Sequence, residues 1–106
     1  MAERITAKRC QNYLQHLGKV GGFPTSSRWK KIAHGTVPIK SYFRIEVAYG
    51  RPRLVFVIGG SGGEADVSPR LPASQMLMWL DAAGPAGLKA RYKELMKRYP
   101  RGHKYL

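Results

Sequence analysis

Cysteine, acidic residues and long apolar runs are all scarce in this 106-residue sequence. A single cysteine, Cys10, excludes an internal disulfide and offers no zinc-binding spacing, which fits a reducing compartment. No run of about 18 apolar residues is available to cross a membrane, and the first residues lack the apolar segment of a signal peptide. We therefore expect a cytoplasmic protein that has no membrane association, no metal site and no cofactor.

The scarcity of acidic side chains leaves a strongly positive chain. Only 6 Asp and Glu oppose 19 Lys and Arg, so the net charge is +13 and the pI is near 10.4. Residues 1–53 hold eleven basic and two acidic side chains, residues 54–88 hold one and three, and residues 89–106 hold seven and one. Two basic arms thus flank a near-neutral middle, and a charge distribution of this kind favours polyanions such as nucleic acids.

The remaining composition is that of a folded domain. Hydrophobic residues make up 43% of the chain, and a domain of this length buries roughly two-thirds of the surface that its unfolded chain exposes. We expect a single compact basic domain over residues 1–106, with a flexible loop at 59–74 and a basic C-terminal tail at 100–106.

A first helix is predicted over residues 6–17. Its apolar side chains recur at steps of three and four, Thr6 can cap its start, and Gly18 follows its end. Cys10 falls on the apolar face of this helix. We expect Cys10 to fill the core rather than to act as a nucleophile.

Residues 26–35 are interpreted as a short second helix, because Trp29, Ile32 and Ala33 are spaced at helical intervals. A helix start here would bring hydroxyl and backbone N–H groups beside three cations, an arrangement that can hold a phosphate. A strand over residues 28–34 is the alternative. The cations are Arg28, Lys30 and Lys31.

A β-hairpin is expected to follow. Apolar and polar residues alternate from 41 to 49, and residues 53–58 form the apolar run of a more central strand, with a glycine and a proline at the turn between them. Tyr42, on the polar face, could stack on an unpaired base. The arginines that would give this hairpin a positive edge and tip are Arg44, Arg51 and Arg53.

The glycine-rich stretch 59–63 follows the second strand, as a phosphate-binding loop would. Gly60, Gly62 and Ala65 match the spacing of a dinucleotide fingerprint, which on its own is a weak signal. Pro69 and Pro72 leave no room for the helix that such a loop must open. We interpret the stretch as a flexible hinge.

Two C-terminal helices are predicted, over residues 75–83 and 86–98, separated by a Gly-Pro pair. The second helix has Lys89, Lys93 and Lys97 in one row, where like charges repel one another and a polyanion would relieve the repulsion. The predicted fold is therefore α+β, with an antiparallel hairpin or small sheet packed against an N-terminal helix and two C-terminal helices.

This order of elements resembles two nucleic-acid-binding folds without sharing their motifs. With residues 26–35 as a helix it is similar to winged-helix domains, although the link of about eight residues exceeds the 3 to 4 of a helix-turn-helix. With a strand at 28–34 it is similar to double-stranded-RNA-binding domains, although the basic cluster at the start of the last helix is missing. Neither resemblance assigns residues.

The predicted function is non-enzymatic binding of DNA or RNA through the phosphate backbone, in the manner of a small phage or mobile-element regulator. One alternative is an adaptor or inhibitor that docks on an acidic protein or nucleoprotein complex, using exposed Met78 and Trp79. Another is a small ribonuclease with His34 as its acid–base group. The predicted nucleic-acid contacts are Arg28, Lys30, Lys31, Tyr42, Arg44, Arg51, Arg53, Lys89, Lys93, Lys97, Arg98, Arg101 and Lys104.

Overall fold

The computed structural model describes residues 5–61 and 63–100. These residues form an α+β fold with an N-terminal helix, two small antiparallel sheets and a C-terminal helix. The elements in chain order are α1 Ala7–Gly21, β1 Trp29–Ile32, β2 Gly35–Pro38, β3 Tyr42–Ala48, β4 Arg51–Val57, β5 Glu64–Asp66 and α2 Ala73–Arg98.

Helix α1 begins where the sequence predicts and ends later. The Thr6 side chain accepts a hydrogen bond from the backbone N–H of Arg9, which caps the first turn. The helix continues through Gly18 to Gly21 and ends at Gly22, whose φ of 78° lies in the left-handed region. Gly18 therefore lies inside the helix rather than at its stop, and a Cβ atom there would lie 2.8 Å from the Phe23 carbonyl oxygen.

The interpretation of residues 26–35 as a helix is wrong. Trp29–Ile32 is strand β1, which pairs antiparallel with β2 through a two-residue turn, as the alternative interpretation proposed for part of this segment. Four residues are too few for periodicity to decide between helix and strand, and the β-branched pair Thr36–Val37 supplies the partner that decides it.

The predicted hairpin of residues 41–58 is confirmed as β3 and β4, which pair from Tyr42 opposite Val57 to Ala48 opposite Arg51. Tyr49 and Gly50 form its turn, both with positive φ. Strand β5, which the sequence did not predict, pairs with the other edge of β4. The three-stranded sheet therefore has the order β3–β4–β5, with the most apolar strand in the centre.

The core lies between one face of this sheet and the two helices. Phe43, Ile45, Leu54 and Phe56 of the sheet meet the buried side chains of α1 and α2, and Cys10 among them is 0% exposed. The prediction that Cys10 fills the core is therefore confirmed, and burial raises the pKa of its thiol.

The prediction of two separate C-terminal helices is not supported. The structure has one C-terminal element, α2, which bends at Gly84, where φ is 70° and ψ is 173°. Pro85 follows the bend, and its carbonyl oxygen lies against Gly21 of α1. In the part of the chain that the structure describes, neither helix has the length and apolarity that a bilayer span requires.

Candidate nucleic-acid interface

The hairpin formed by β1 and β2 stands apart from the rest of the fold. Neither strand joins the three-stranded sheet, and each packs chiefly against the other. Its residues from Trp29 to Thr36 are exposed or half-exposed, whereas Val37 and Pro38 are buried where the hairpin joins the body of the fold. The hairpin is therefore an arm that projects into solvent, and we call it the β1–β2 arm.

Cations are distributed over both faces of this arm. Because successive strand residues point to opposite faces, Trp29 and Lys31 lie on one face and Lys30 on the other. Trp29 keeps 50% of its surface exposed. Within residues 5–61 and 63–100, none of the cations in or beside the arm forms an ion pair with a carboxylate. They are Arg28, Lys30, Lys31 and Lys40.

A depression of about 400 Å³ lies at the base of the arm, and Ser26, Ser27, Arg28, Ile39 and Lys40 line it. The Ser27 hydroxyl donates to the Arg28 carbonyl oxygen (2.8 Å) and accepts from the Lys40 N–H (3.1 Å). These bonds fix the backbone at both edges of the depression. Two cations and the Ser26 hydroxyl suit it to a phosphate group.

The glycine-rich stretch supports the base of the arm. The N–H of Gly59 donates to the Ser41 hydroxyl, and the N–H of Gly60 donates to the Pro38 carbonyl oxygen, both at 2.8 Å. A Cβ atom on Gly59 would lie 2.7 Å from backbone atoms of Lys40 and Ser41. Strand β5 follows the stretch instead of a helix, as the rejection of a phosphate loop implies, and Gly59 serves close packing.

Arg44 and Arg53, both predicted phosphate contacts, are paired with carboxylates on the outer face of the sheet. Arg44 binds Glu64, and Arg53 binds Glu46 at 2.8 Å and Asp66 at 3.0 Å. Arg70 also binds Glu46, at 2.7 Å.

Hydrogen bonds from Arg70 and Arg53 hold the pKa of Glu46 below its ordinary value. Three arginines and three carboxylates thus neutralise one another, and the outer face of the sheet is not a basic surface. The sequence does not reveal this pairing, because Glu64 and Asp66 fall in a stretch whose pattern predicts a loop.

Of two further predicted contacts, Arg51 lies far from the arm and Tyr42 is buried. Arg51 sits at the β3–β4 turn, six residue pairs along the ladder from Tyr42, or roughly 20 Å at strand spacing. Tyr42 is only 7% exposed and packs with Val55 and Val57, and this burial raises the pKa of its hydroxyl. Its ring is not open to a base, so the exposed aromatic next to the cations is Trp29.

One end of the predicted row on α2 lies near the segments that flank the arm. The Tyr92 hydroxyl donates to the Ser41 carbonyl oxygen at 3.0 Å, and the Lys89 Nζ lies 3.4 Å from where a Cβ of Gly22 would be. Both contacts place this half of α2 against the segments that enter and leave the arm. Lys93, Lys97 and Arg98 are exposed and Lys89 is half-buried. The predicted contacts Arg101 and Lys104 lie outside the described residues.

The side chains that the alternative functions would use differ in their exposure. His34 is exposed in the turn of the arm, and no described side chain hydrogen-bonds to it. Met78 is 71% exposed, whereas Trp79 packs against the core. No group of three His, Cys, Asp or Glu among the described residues is arranged to hold a metal ion.

The structure thus places Arg28, Lys30, Lys31 and Lys40 in and beside the arm, and Lys89 near the segment that enters it. Lys40 and Trp29 were missed as site residues. Nothing in their local sequence distinguishes them, and their position follows from the pairing of β1 with β2. No family model, no curated protein and no solved structure matches this chain.

Proposed function

We propose that the protein binds nucleic acid without catalysing a reaction, and that the β1–β2 arm makes the principal contacts. The observation that carries the proposal is the set of four cations on and beside an exposed arm, none with a carboxylate partner among the described residues. Three arginines elsewhere in the fold are neutralised by the chain itself. The cations of the arm therefore remain available to bind an external anion.

Nucleic-acid phosphates suit this arrangement. Each phosphate that a Lys or Arg neutralises releases a condensed counterion, which drives binding and makes it weaken with salt. Lys30 and Lys31 would contact phosphates from the arm, and Arg28 and Lys40 would hold a phosphate at the depression. Phosphate contacts of this kind position the protein without reading sequence.

The experiment compares two double variants that remove the same charge. Lys30→Gln with Lys31→Gln neutralises the arm, and Lys8→Gln with Arg51→Gln neutralises two exposed cations far from it. Affinity for a fluorescein-labelled DNA or RNA is measured by anisotropy over a range of salt concentrations. We expect the arm variant to bind about tenfold weaker per lysine at roughly 0.1 M salt, with a salt slope smaller by about two.

The control variant should bind with nearly wild-type affinity. Equal losses in the two variants would mean that net charge alone is responsible and that the arm is not the contact surface. Absence of affinity for any nucleic acid at low salt would overturn the proposal.

A second candidate function, docking on an acidic protein or nucleoprotein complex, is favoured by one observation. Met78 is exposed beside a depression of about 320 Å³ that Arg9, Tyr13, Leu77 and Asp81 also line. A pull-down with and without nuclease separates the two functions. A protein partner that survives nuclease treatment and is lost in Met78→Gln would support docking.

A further inference from the structure

We infer that the nucleic acid is double-stranded DNA and that the β1–β2 arm enters its major groove with the turn leading. The inference rests on the proposed function and adds the class of ligand. It follows from the length and thickness of the arm and from the placement of its charges.

The exposed part of the arm is about as long as the groove is deep. From Lys30, opposite the buried Val37, to the turn at Ala33 and His34, the strand rises roughly 10 Å at strand spacing. The major groove of B-DNA is about 8.5 Å deep. The turn can therefore reach the base edges while the base of the arm remains at the phosphates.

The thickness of the arm determines which groove of a nucleic-acid duplex can accept it. A two-stranded ribbon with side chains on both faces is roughly 10 Å thick, which fits a major groove about 12 Å wide but not a minor groove of about 6 Å. The major groove of A-form RNA is too narrow for side chains to read, and its minor groove is too shallow for a projecting arm. B-form DNA is the duplex that accommodates this shape.

The positions of the lysines on the arm match the two phosphate strands that form the walls of the groove. Lys30 and Lys31 point to opposite faces of the arm, so each faces a different phosphate strand when the turn enters first. A ribbon lying flat would need its cations on one face. At the turn, the His34 side chain is exposed and can hydrogen-bond to base edges.

Binding of single strands would call for a different surface. Proteins that hold unpaired bases present aromatic side chains in succession, one base stacked on each. Among the described residues of the arm, Trp29 is the one exposed aromatic, and it lies near the base rather than at the turn. The arm therefore favours a duplex.

The test measures anisotropy with four probes of one sequence: a DNA duplex, the matching RNA duplex and the two DNA single strands. We expect the DNA duplex to bind at least about tenfold tighter than the others. Bulky substituents on the cytosine C5 atoms, which project into the major groove, should weaken binding by a similar factor. A minor-groove ligand such as distamycin should not compete.

Single variants test the orientation of the arm. Lys30→Gln and Lys31→Gln should each weaken DNA binding by a similar factor, because each faces one groove wall. An effect confined to one of them, competition by distamycin, or equal affinity for RNA would overturn the inference while leaving the proposed function standing. Failure of every probe to bind would instead overturn the proposed function.

Discussion

Gly21 allows α1 and α2 to pack closely because it has no side chain. A Cβ atom there would lie 2.6 Å from the carbonyl oxygen of Pro85, closer than such atoms approach. Gly21 is still helical, so its role is to admit the bend of α2 rather than to end α1. The sequence marks a glycine at this position but not the neighbour that requires it.

We expect Gly21→Ala to lower the free energy of unfolding by about 1–3 kcal/mol, since the contact is with backbone that must shift. Gly87→Ala is the matched control, because its Cβ would meet only the Ala83 methyl at 3.9 Å. In a helix that substitution should stabilise by up to about 1 kcal/mol. Urea unfolding of both variants checks the pair, and equal stabilities would refute the packing account.

Glu46 links the charge network of the sheet to pH. Arg70 and Arg53 bind its carboxylate in the folded state and hold its pKa below the ordinary value of 4.5. A lowered folded-state pKa means that the carboxylate stabilises the fold above its unfolded pKa. This contribution is lost as the pH falls through the folded pKa.

Glu46→Gln should therefore be less stable than wild type at neutral pH, and the difference should shrink as the pH falls below about 4.5. Urea unfolding over a pH series measures this. Glu94→Gln is the control, because the exposed Arg91–Glu94 pair at 3.8 Å contributes a few tenths of a kcal/mol at most. If the free energies of unfolding of Glu46→Gln and wild type differ by the same amount at every pH, the stabilising role of the ionised Glu46 carboxylate is contradicted.

At the scale of elements, the sequence predicts the helices and strands that are long enough to show a regular spacing of apolar residues. Helix α1 and the β3–β4 hairpin are each long enough for apolar spacing to show their faces, and both were predicted. Strands β1 and β5 have four and three residues, and their state depends on a partner strand that local spacing does not reveal. The sequence therefore indicates the cations of the arm but not its strand structure.

The two sheets should differ in their resistance to opening. An isolated two-stranded hairpin is only marginally stable, whereas β4 is hydrogen-bonded on both edges and packs on the core. We expect amides of the β1–β2 arm to exchange with solvent faster than those of β4. Bound DNA should then slow exchange in the arm. Hydrogen exchange followed by NMR tests both points. Equal protection of arm and sheet would contradict the first, and arm exchange unchanged by DNA would contradict the second.

At the scale of the whole molecule, ion pairing decides which part of the basic sequence remains basic. The sequence correctly indicates a strong positive charge and places cations at the arm and on α2. It cannot show that Glu46, Glu64 and Asp66 converge on Arg44, Arg53 and Arg70, because that requires the strand register. Folding thus neutralises the outer face of the sheet, whereas the cations of the arm have no carboxylate partner among the described residues.

The α2 row should add to the arm. Tyr92 ties this half of α2 to Ser41, next to the base of the arm, and Lys93 and Lys97 are exposed on the same half of the helix. We expect Lys93→Gln with Lys97→Gln to lower the salt slope of DNA binding by about two, and all four lysine substitutions together to lower it by about four.

Anisotropy titrations over a range of salt concentrations measure these slopes, again with Lys8→Gln and Arg51→Gln as the equal-charge control. Stability should change little, because Lys93 and Lys97 are exposed and their mutual repulsion is removed. Slopes that add show one continuous phosphate-binding surface. An α2 variant with the wild-type slope would mean that the row faces away from the DNA and that the arm binds alone.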